Sequence, residues 1–363
     1  MNYQDEYRDR EIVRGLARRV GELVAGRERP MTFMEVCGTH TMAIYQFGIR
    51  SLLPPQVRLI SGPGCPVCVT PNGYVDRAVA LSRLPGVTIA TFGDMVRVPG
   101  SSSSLMEERA RGADIRIVYS PLDAVALAER NPDRRVVFLG VGFETTAPAI
   151  AGSILSTREK GLSNYFVLAA HKTIPLPMEV LSNDLELAID GYICPAHVSA
   201  VIGADAYLPL AERCGVPCVV TGFEPADILQ GVAMLVHQVV NGESRVEIQY
   251  RRVVKRSGNR RAQEVLARVF EPCDAEWRGI GIIPGSGLAI RDEFTPFDAE
   301  RMVPVDVEEP REHPGCRCGD ILRGKVVPFD CPLFATVCTP EAPVGACMVS
   351  SEGTCAAAYK YGR

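Results

Sequence analysis

Thiols are the groups in this chain with the clearest capacity for chemistry. Thirteen cysteines are spread over 363 residues, and six of them fall in the last fifty positions. Four of these, Cys331, Cys338, Cys347 and Cys355, lie in CPLFATVCTPEAPVGACMVSSEGTC, with six, eight and seven residues between successive thiols. That spacing in a Gly/Pro-rich stretch suits a 4Fe-4S cluster, because each iron takes one thiolate and the chain must wrap a compact cube. Structural zinc is the rival, but it usually shows Cys-x2-Cys knuckles and these four have none. Just upstream, Cys316-Arg-Cys318-Gly offers an alternative ligand, a dithiol that exchanges electrons with a cluster, or simply a turn with exposed thiols. So short a separation strains an intramolecular disulfide and makes it reducible.

Two more cysteine motifs lie near the N-terminus. Ser61-Gly-Pro-Gly-Cys65-Pro-Val-Cys68 follows a predicted strand. A Cys-x-x-Cys on a turn into a helix is expected to have a lowered thiol pKa, and redox activity or transient metal binding follows; half a zinc knuckle is the bland alternative. Glu35-Val-Cys37-Gly-Thr-His40-Thr41 also ends a predicted strand, placing Cys37 at the carboxyl edge of a parallel sheet. His40 can ligate metal, orient a ligand or deprotonate the thiol, or the pair can be mere packing. In Gly140-Val-Gly142-Phe-Glu144-Thr145-Thr146, the third glycine of a dinucleotide loop is missing, so Glu144 and the hydroxyls read as polar groups delivered to the same edge, with a threonine helix cap as the alternative. Cys194, Cys214, Cys218 and Cys273 read as small core residues, and His171 and His197 as satisfied structural histidines.

The elements that must position these groups alternate. Strands are predicted at 32–36, 58–61, 88–91, 115–119, 135–139, 165–169, 191–194 and 217–220. Helices are predicted at 75–84, 120–131, 146–160, 174–187, 203–214 and 224–241. This is the pattern of parallel α/β layers. Gly-Phe-Glu ends a strand twice, at 142–144 and 222–224, which allows a duplicated α/β unit. After residue 241 the expected order is a strand over 245–253, a helix over 260–270, and a Pro/Gly-punctuated stretch containing IIPGSGL (282–288). The expected division is a first α/β domain at 1–130, a second at 131–242 and a cysteine-rich C-terminal region at 243–363.

Composition excludes several functions. Charged residues are 23% of the chain and the net charge is -4, which gives no basic face for nucleic acid and no polybasic membrane anchor. No uncharged apolar run is long enough to cross a bilayer, and the helical N-terminus lacks a secretory signal's apolar stretch. A cytoplasmic protein is expected, where reducing conditions leave cysteines to metal or redox chemistry rather than to structural disulfides.

Taken together, MEVCGTHT (34–41), SGPGCPVCVTP (61–71), VGFETTAP (141–148), IIPGSGL (282–288) and the tail block 331–361 resemble the signature blocks of the HypD family of hydrogenase maturation proteins. The resemblance implies two similar α/β domains plus a smaller iron-sulfur domain around a cleft. It also implies a role in making the Fe(CN)2CO group of nickel-iron hydrogenases. Cys37 would hold the iron jointly with a cysteine of the small protein HypC, with His40 beside it, while HypE delivers cyanide. Cys65 and Cys68 would form a thiol-disulfide relay, and Cys331, Cys338, Cys347 and Cys355 would ligate the 4Fe-4S cluster. One departure is Ala358, where the family pattern has a second tyrosine; it leaves ligation undisturbed. The expectation is a scaffold rather than a turnover enzyme. The alternative is a cluster-dependent protein disulfide reductase, which leaves the Cys37-His40 motif unexplained.

Overall fold

A computed structural model describes residues 5–184 and 186–362. In chain order its strands are β1 (Met31–Glu35), β2 (Val57–Ser61), β3 (Val87–Thr91), β4 (Ile115–Ile117), β5 (Arg135–Gly140), β6 (Tyr165–Ala169), β7 (His171–Lys172), β8 (Gly191–Pro195), β9 (Cys218–Thr221), β10 (Val246–Ile248), β11 (Phe270–Trp277) and β12 (Gly281–Ile290). All eight strands expected before residue 221 are present. The strand expected at 245–253 shrinks to the three residues of β10.

Two parallel sheets form the body. One has the order β10-β9-β8-β1-β2 and the other β4-β3-β5-β6. Their central strands are buried because helices cover both faces: β3 is buried along its whole length, as is β5 after Arg135. The covering helices start where the sequence signals them. The helix Pro121–Arg130 opens on Ser120, which forms a capping box with Asp123, and has proline in its first turn. Pro225–Val240 likewise starts at proline. The helix expected at 174–187 runs only over Pro175–Ser182, and the one expected at 203–214 splits into the 3-10 turn Ala204–Tyr207 and the helix Leu208–Arg213.

The sheets do not follow the contiguous division expected at 130/131 and 242/243. The first sheet takes β1 and β2 from the N-terminal segment and β8 to β10 from residues 191–248, and the whole second sheet is built from the chain between them. Strand-helix alternation states that parallel layers form, but not which sheet receives each strand, because parallel neighbours are joined through long crossovers.

A third sheet, β11-β12-β7, is antiparallel. The IIPGSGL motif lies in β12, where Pro284 and Gly285 coincide with a register shift against β11 between Cys273 and Ala275. The glycines and proline that resemble loop punctuation therefore mark an irregular hairpin. Trp277 closes it: its ring is fully buried, stacks on Phe143 and donates from Nε1 to Ser286 Oγ at 2.7 Å.

One face of the first sheet packs under the helices Arg10–Leu23 and Pro225–Val240, through Val20, Phe33, Ile193, Val219 and Val232. The other face joins a cluster that includes Cys65, Cys68, Trp277, Cys318, Cys347 and Cys355. The cysteine-rich tail is thus packed into the core rather than hung from it. Among the described residues no helix is long and apolar enough to cross a membrane. Trp277→Ala is expected to destabilise the chain by about 3–5 kcal/mol, the usual loss for a large buried aromatic, measured as the shift in urea unfolding. A loss under about 1 kcal/mol would mean that the hairpin is not clamped to the core by this ring.

Candidate functional site

Cys37 stands two residues beyond the end of β1, as the N-terminal cap of the helix Gly38–Gln46. Cys65 caps the four-residue helix Pro66–Val69 after β2. Since β1 and β2 are parallel neighbours with Glu35 opposite Ser61, both cysteines lie at the same sheet edge. The two loops are bonded backbone to backbone. The Gly38 amide donates to the Gly64 carbonyl at 2.8 Å, and the Gly62 amide to the Glu35 carbonyl at 2.7 Å. Gly64 is obligatory here, because a Cβ would lie 2.1 Å from the Cys37 nitrogen.

The first turn of the Gly38–Gln46 helix points its amides at the Cys37 sulfur, with Thr39 and His40 as donors. Burial outweighs them and pushes the thiol up to about 12, with Glu352 adding to the rise. Beneath it, Glu35 is fully buried, accepts from the Cys37 amide at 3.2 Å and from Thr41 Oγ1 at 2.5 Å, and is itself pushed up to about 7 by burial. His40 reaches across to the end of β9, where its Nε2 lies 2.9 Å from both the Gly222 carbonyl and Thr221 Oγ1. Its Nδ1 is buried without a hydrogen-bond partner, and burial lowers the ring to about 4. The imidazole is therefore neutral; with Nε2 protonated for the carbonyl, Nδ1 carries a free lone pair. Phe223 is sandwiched between the rings of His40 and His197, at 4.7 and 4.3 Å. His197, expected to be a structural bystander, is thereby part of this wall.

From Cys65 inward the thiols form a string. Cys68 Sγ donates to the Ala346 carbonyl at 3.9 Å, beside Cys347, and feels both Cys65 and Cys347. Cys347 in turn meets Cys318, whose Sγ is 2.7 Å away, and Cys355. The expectation of a lowered pKa at the Cys-x-x-Cys is reversed at Cys68: burial raises that thiol well above its ordinary value, because the short helix end is enclosed by the tail. Around Gly345 sit the other tail thiols. Cys316 Sγ would meet a Cβ on Gly345 at 2.6 Å, and Cys338 Sγ accepts from the Val344 amide at 3.4 Å and feels Cys355 and Cys316. Cys331 Sγ faces the Gly315 carbonyl, next to Cys316.

The soft, all-thiol donor set with an amide aimed at Cys338 fits an iron-sulfur cluster in its chemistry. Among the described residues, however, no three ligand-type side chains already stand close enough to hold a metal ion. The sequence pattern names Cys331, Cys338, Cys347 and Cys355, whereas the contacts engage Cys347 with Cys318 and Cys68 and set Cys316 beside Cys338.

Glu144 follows β5 in the second sheet. It is buried, accepts from the Ile174 amide at 3.0 Å, leaves Oε2 without a partner and is pushed up to about 7 by burial. Among the described residues it makes no hydrogen bond to the cysteine motifs. His171 is also unlike its expectation: it is buried against Phe270 with neither ring nitrogen bonded. Cys194 and Cys218 are core residues as read, while Cys214 and Cys273 are only partly buried. Glu352 was missed. Its carboxylate accepts from Thr39 Oγ1 at 2.7 Å, tying the tail to the Cys37 helix, and its one signal in the sequence is its place three residues before Cys355.

Glu35 gives this site a pH signature. A carboxyl raised from 4.5 to about 7 keeps its proton in the folded state after the unfolded chain has lost it, so its contribution to stability falls as pH rises through that window. Glu35→Gln is expected to gain on wild type across the window, by on the order of 1 kcal/mol per pH unit, in urea unfolding. His40→Gln should show the opposite slope, since a histidine lowered from 6.5 to about 4 adds stability as pH rises between those values. A Glu35→Gln difference independent of pH would contradict the burial of this carboxyl.

Comparison with known proteins agrees with the motifs. The HypD family model, described as "Hydrogenase formation hypA family", matches residues 11–362. The Azotobacter vinelandii protein named hydrogenase maturation factor HypD is 48% identical over 370 residues, covering 100% of this chain and 97% of that protein. The Escherichia coli K12 protein of the same name is 46% identical over 368 residues, covering 99% and 98%. A crystal structure of a conserved domain protein from Vibrio cholerae aligns with a TM-score of only 0.14 at 10% identity, covering 75% of this chain and 99% of that one, and carries no argument. With the family matched along nearly its whole length, the chain belongs to the HypD family of hydrogenase maturation factors.

Proposed function

We propose that this chain is the scaffold on which iron acquires cyanide and carbonyl to become the Fe(CN)2CO group of nickel-iron hydrogenase. The observation that carries this reading is Cys37: a thiol at the carboxyl edge of the first sheet, under the amides of its own helix, whose third residue is a neutral histidine. As a thiolate it is a soft, strong donor for low-spin iron, and the Thr39 and His40 amides offset the charge that appears when the proton leaves. Glu35, poised near neutrality under the Cys37 amide, holds or releases a proton beside it. In this reading HypC completes the iron site with a cysteine of its own, HypE brings cyanide, and the assembly is cytoplasmic.

The thiol string supplies the electrons. A reduced Cys318/Cys347 pair reduces a Cys65–Cys68 disulfide by exchange through the Cys347 to Cys68 contact. A 4Fe-4S cluster, when bound, contributes one-electron chemistry at the tail. We assign its ligands to Cys331, Cys338 and Cys355 with Cys316 as the fourth, because Cys347, the fourth ligand by spacing, is engaged with Cys318 and Cys68. A disulfide reductase would use the same string but gives the Cys37-His40 geometry no task.

Infrared spectroscopy of the anaerobically purified chain with co-expressed HypC tests the scaffold. Cys37→Ala is expected to lose the cyanide and carbonyl stretches; bands that persist in the variant remove Cys37 from the site. Iron and sulfide content and visible absorbance test the ligand assignment. Cys316→Ala should lose the cluster while Cys347→Ala retains it, and the reverse result restores the set given by spacing.

A further inference from the structure

The string from Cys65 to Cys347 is enclosed: Cys65, Cys68, Cys318 and Cys347 are each no more than 3% exposed. Direct thiol exchange with an outside reductant therefore requires a cavity that reaches a sulfur. One of about 440 Å³ does so, with Cys316 and Cys318 in its wall beside Asn72, Arg278, Arg311 and Gly345. Gly345 keeps the approach open, since a side chain there would run into Cys316 Sγ at 2.6 Å.

The wall states what the cavity takes. Arg278 is buried and spoken for, with its guanidinium on the Thr70 carbonyl and on Glu312. Arg311 is exposed, its backbone is fixed by Ser101 and Asn72, and among the described residues its guanidinium has no ion pair. Asn72 is buried, and its Oδ1 has no hydrogen-bond partner. A free cation asks for a ligand bearing a carboxylate. The size fits a small molecule. A protein dithiol, presented on a convex surface, does not reach a sulfur that is 3% exposed, as Cys318 is.

Resting on the relay reading above, we infer that this cavity docks a low-molecular-weight thiol carrying a carboxylate, which reduces the Cys318–Cys347 pair once the relay has oxidised it. The incoming thiolate attacks Cys318 Sγ, the Cys318–Cys347 bond breaks, and Cys347 leaves as a thiolate that takes up the proton given up by the small thiol. A second molecule attacks the sulfur of the first, frees Cys318 and departs as the small-molecule disulfide. Two electrons enter the chain, and Arg311 holds the carboxylate during both attacks.

The test uses the full chain, anaerobically oxidised, with peptide mass spectrometry to confirm a Cys318–Cys347 disulfide before any reductant is added. Reduction is then timed by differential alkylation of Cys318 with glutathione, neutral β-mercaptoethanol and cationic cysteamine. Each rate is normalised to thiolate concentration and to the same thiol's rate on a free model disulfide. Glutathione should be fastest and cysteamine slowest, with glutathione ahead of β-mercaptoethanol by about fivefold, the scale of one exposed charge pair. Arg311→Glu, an exposed change, should erase or invert that order and leave the β-mercaptoethanol rate unchanged. Equal rates for the three thiols, or an Arg311→Glu variant slowed equally with all of them, overturn the cavity inference while the relay stands. Absence of the Cys318–Cys347 disulfide overturns the relay and the inference together.

Discussion

The backbone contact between Gly64 and Cys37 is the constraint on which the site depends. Two parallel strands deliver two loops to one edge, and those loops come together only because Gly64 has no side chain to place against the Cys37 amide. The Gly38 to Gly64 hydrogen bond then fixes the register of one cysteine motif on the other. Everything downstream inherits this placement. β9, on the other side of β8 in the same sheet, brings Thr221 and Gly222 to His40. From the tail, Glu352 reaches Thr39 and Cys347 reaches Cys68.

Burial sets the resting chemistry of these groups. Cys37 and Cys68 are raised by desolvation, Glu35 is near neutrality, and His40 is neutral. A site of this kind holds protons instead of charges until a soft cation or a disulfide partner arrives. The helix amides at Cys37 are then the compensation already in place, worth more in a desolvated setting than in water. Proton release and ligand arrival are coupled in such a site, because thiolate ligation expels the proton that burial had kept.

Much of this was legible in the sequence, and the parts that were not have physical reasons. β5 and β9 read as strands because their apolar runs are buried, and β1 and β2 because apolar residues dominate them despite Thr32 and Arg58; the Cys37, Cys65-Cys68 and Glu144 motifs then fell at strand ends. Sheet membership was hidden, since β2 and β8 flank β1 although about 130 residues separate them in the chain, a separation that parallel crossovers permit. The β11-β12 hairpin was hidden by its own Pro284, Gly285 and Gly287, residues that signal a loop more often than a strand. At the site, residue types announced Cys37, Cys65 and Cys68. The Cys318 to Cys347 contact had no local signal, because spacing along a chain with little regular structure says nothing of which sulfurs meet.

That last point bears on how the tail is held. Between Met302 and Thr354 the regular elements are the five-residue helix Cys318–Leu322 and the 3-10 turns Pro328–Asp330 and Ala346–Met348. Ladder hydrogen bonds therefore contribute little there, and the segment's order comes from its apolar contacts with the first sheet, from Arg278 gripping Thr70 and Glu312, and from its sulfurs. A ligand that cross-links several of those sulfurs would add folding free energy where the backbone supplies least. Because the same segment carries Cys347 to Cys68 and Glu352 to Thr39, ordering the tail also orders the surroundings of Cys37. Whatever ligand cross-links the tail sulfurs would in this way also order the surroundings of Cys37, transmitted through two named contacts.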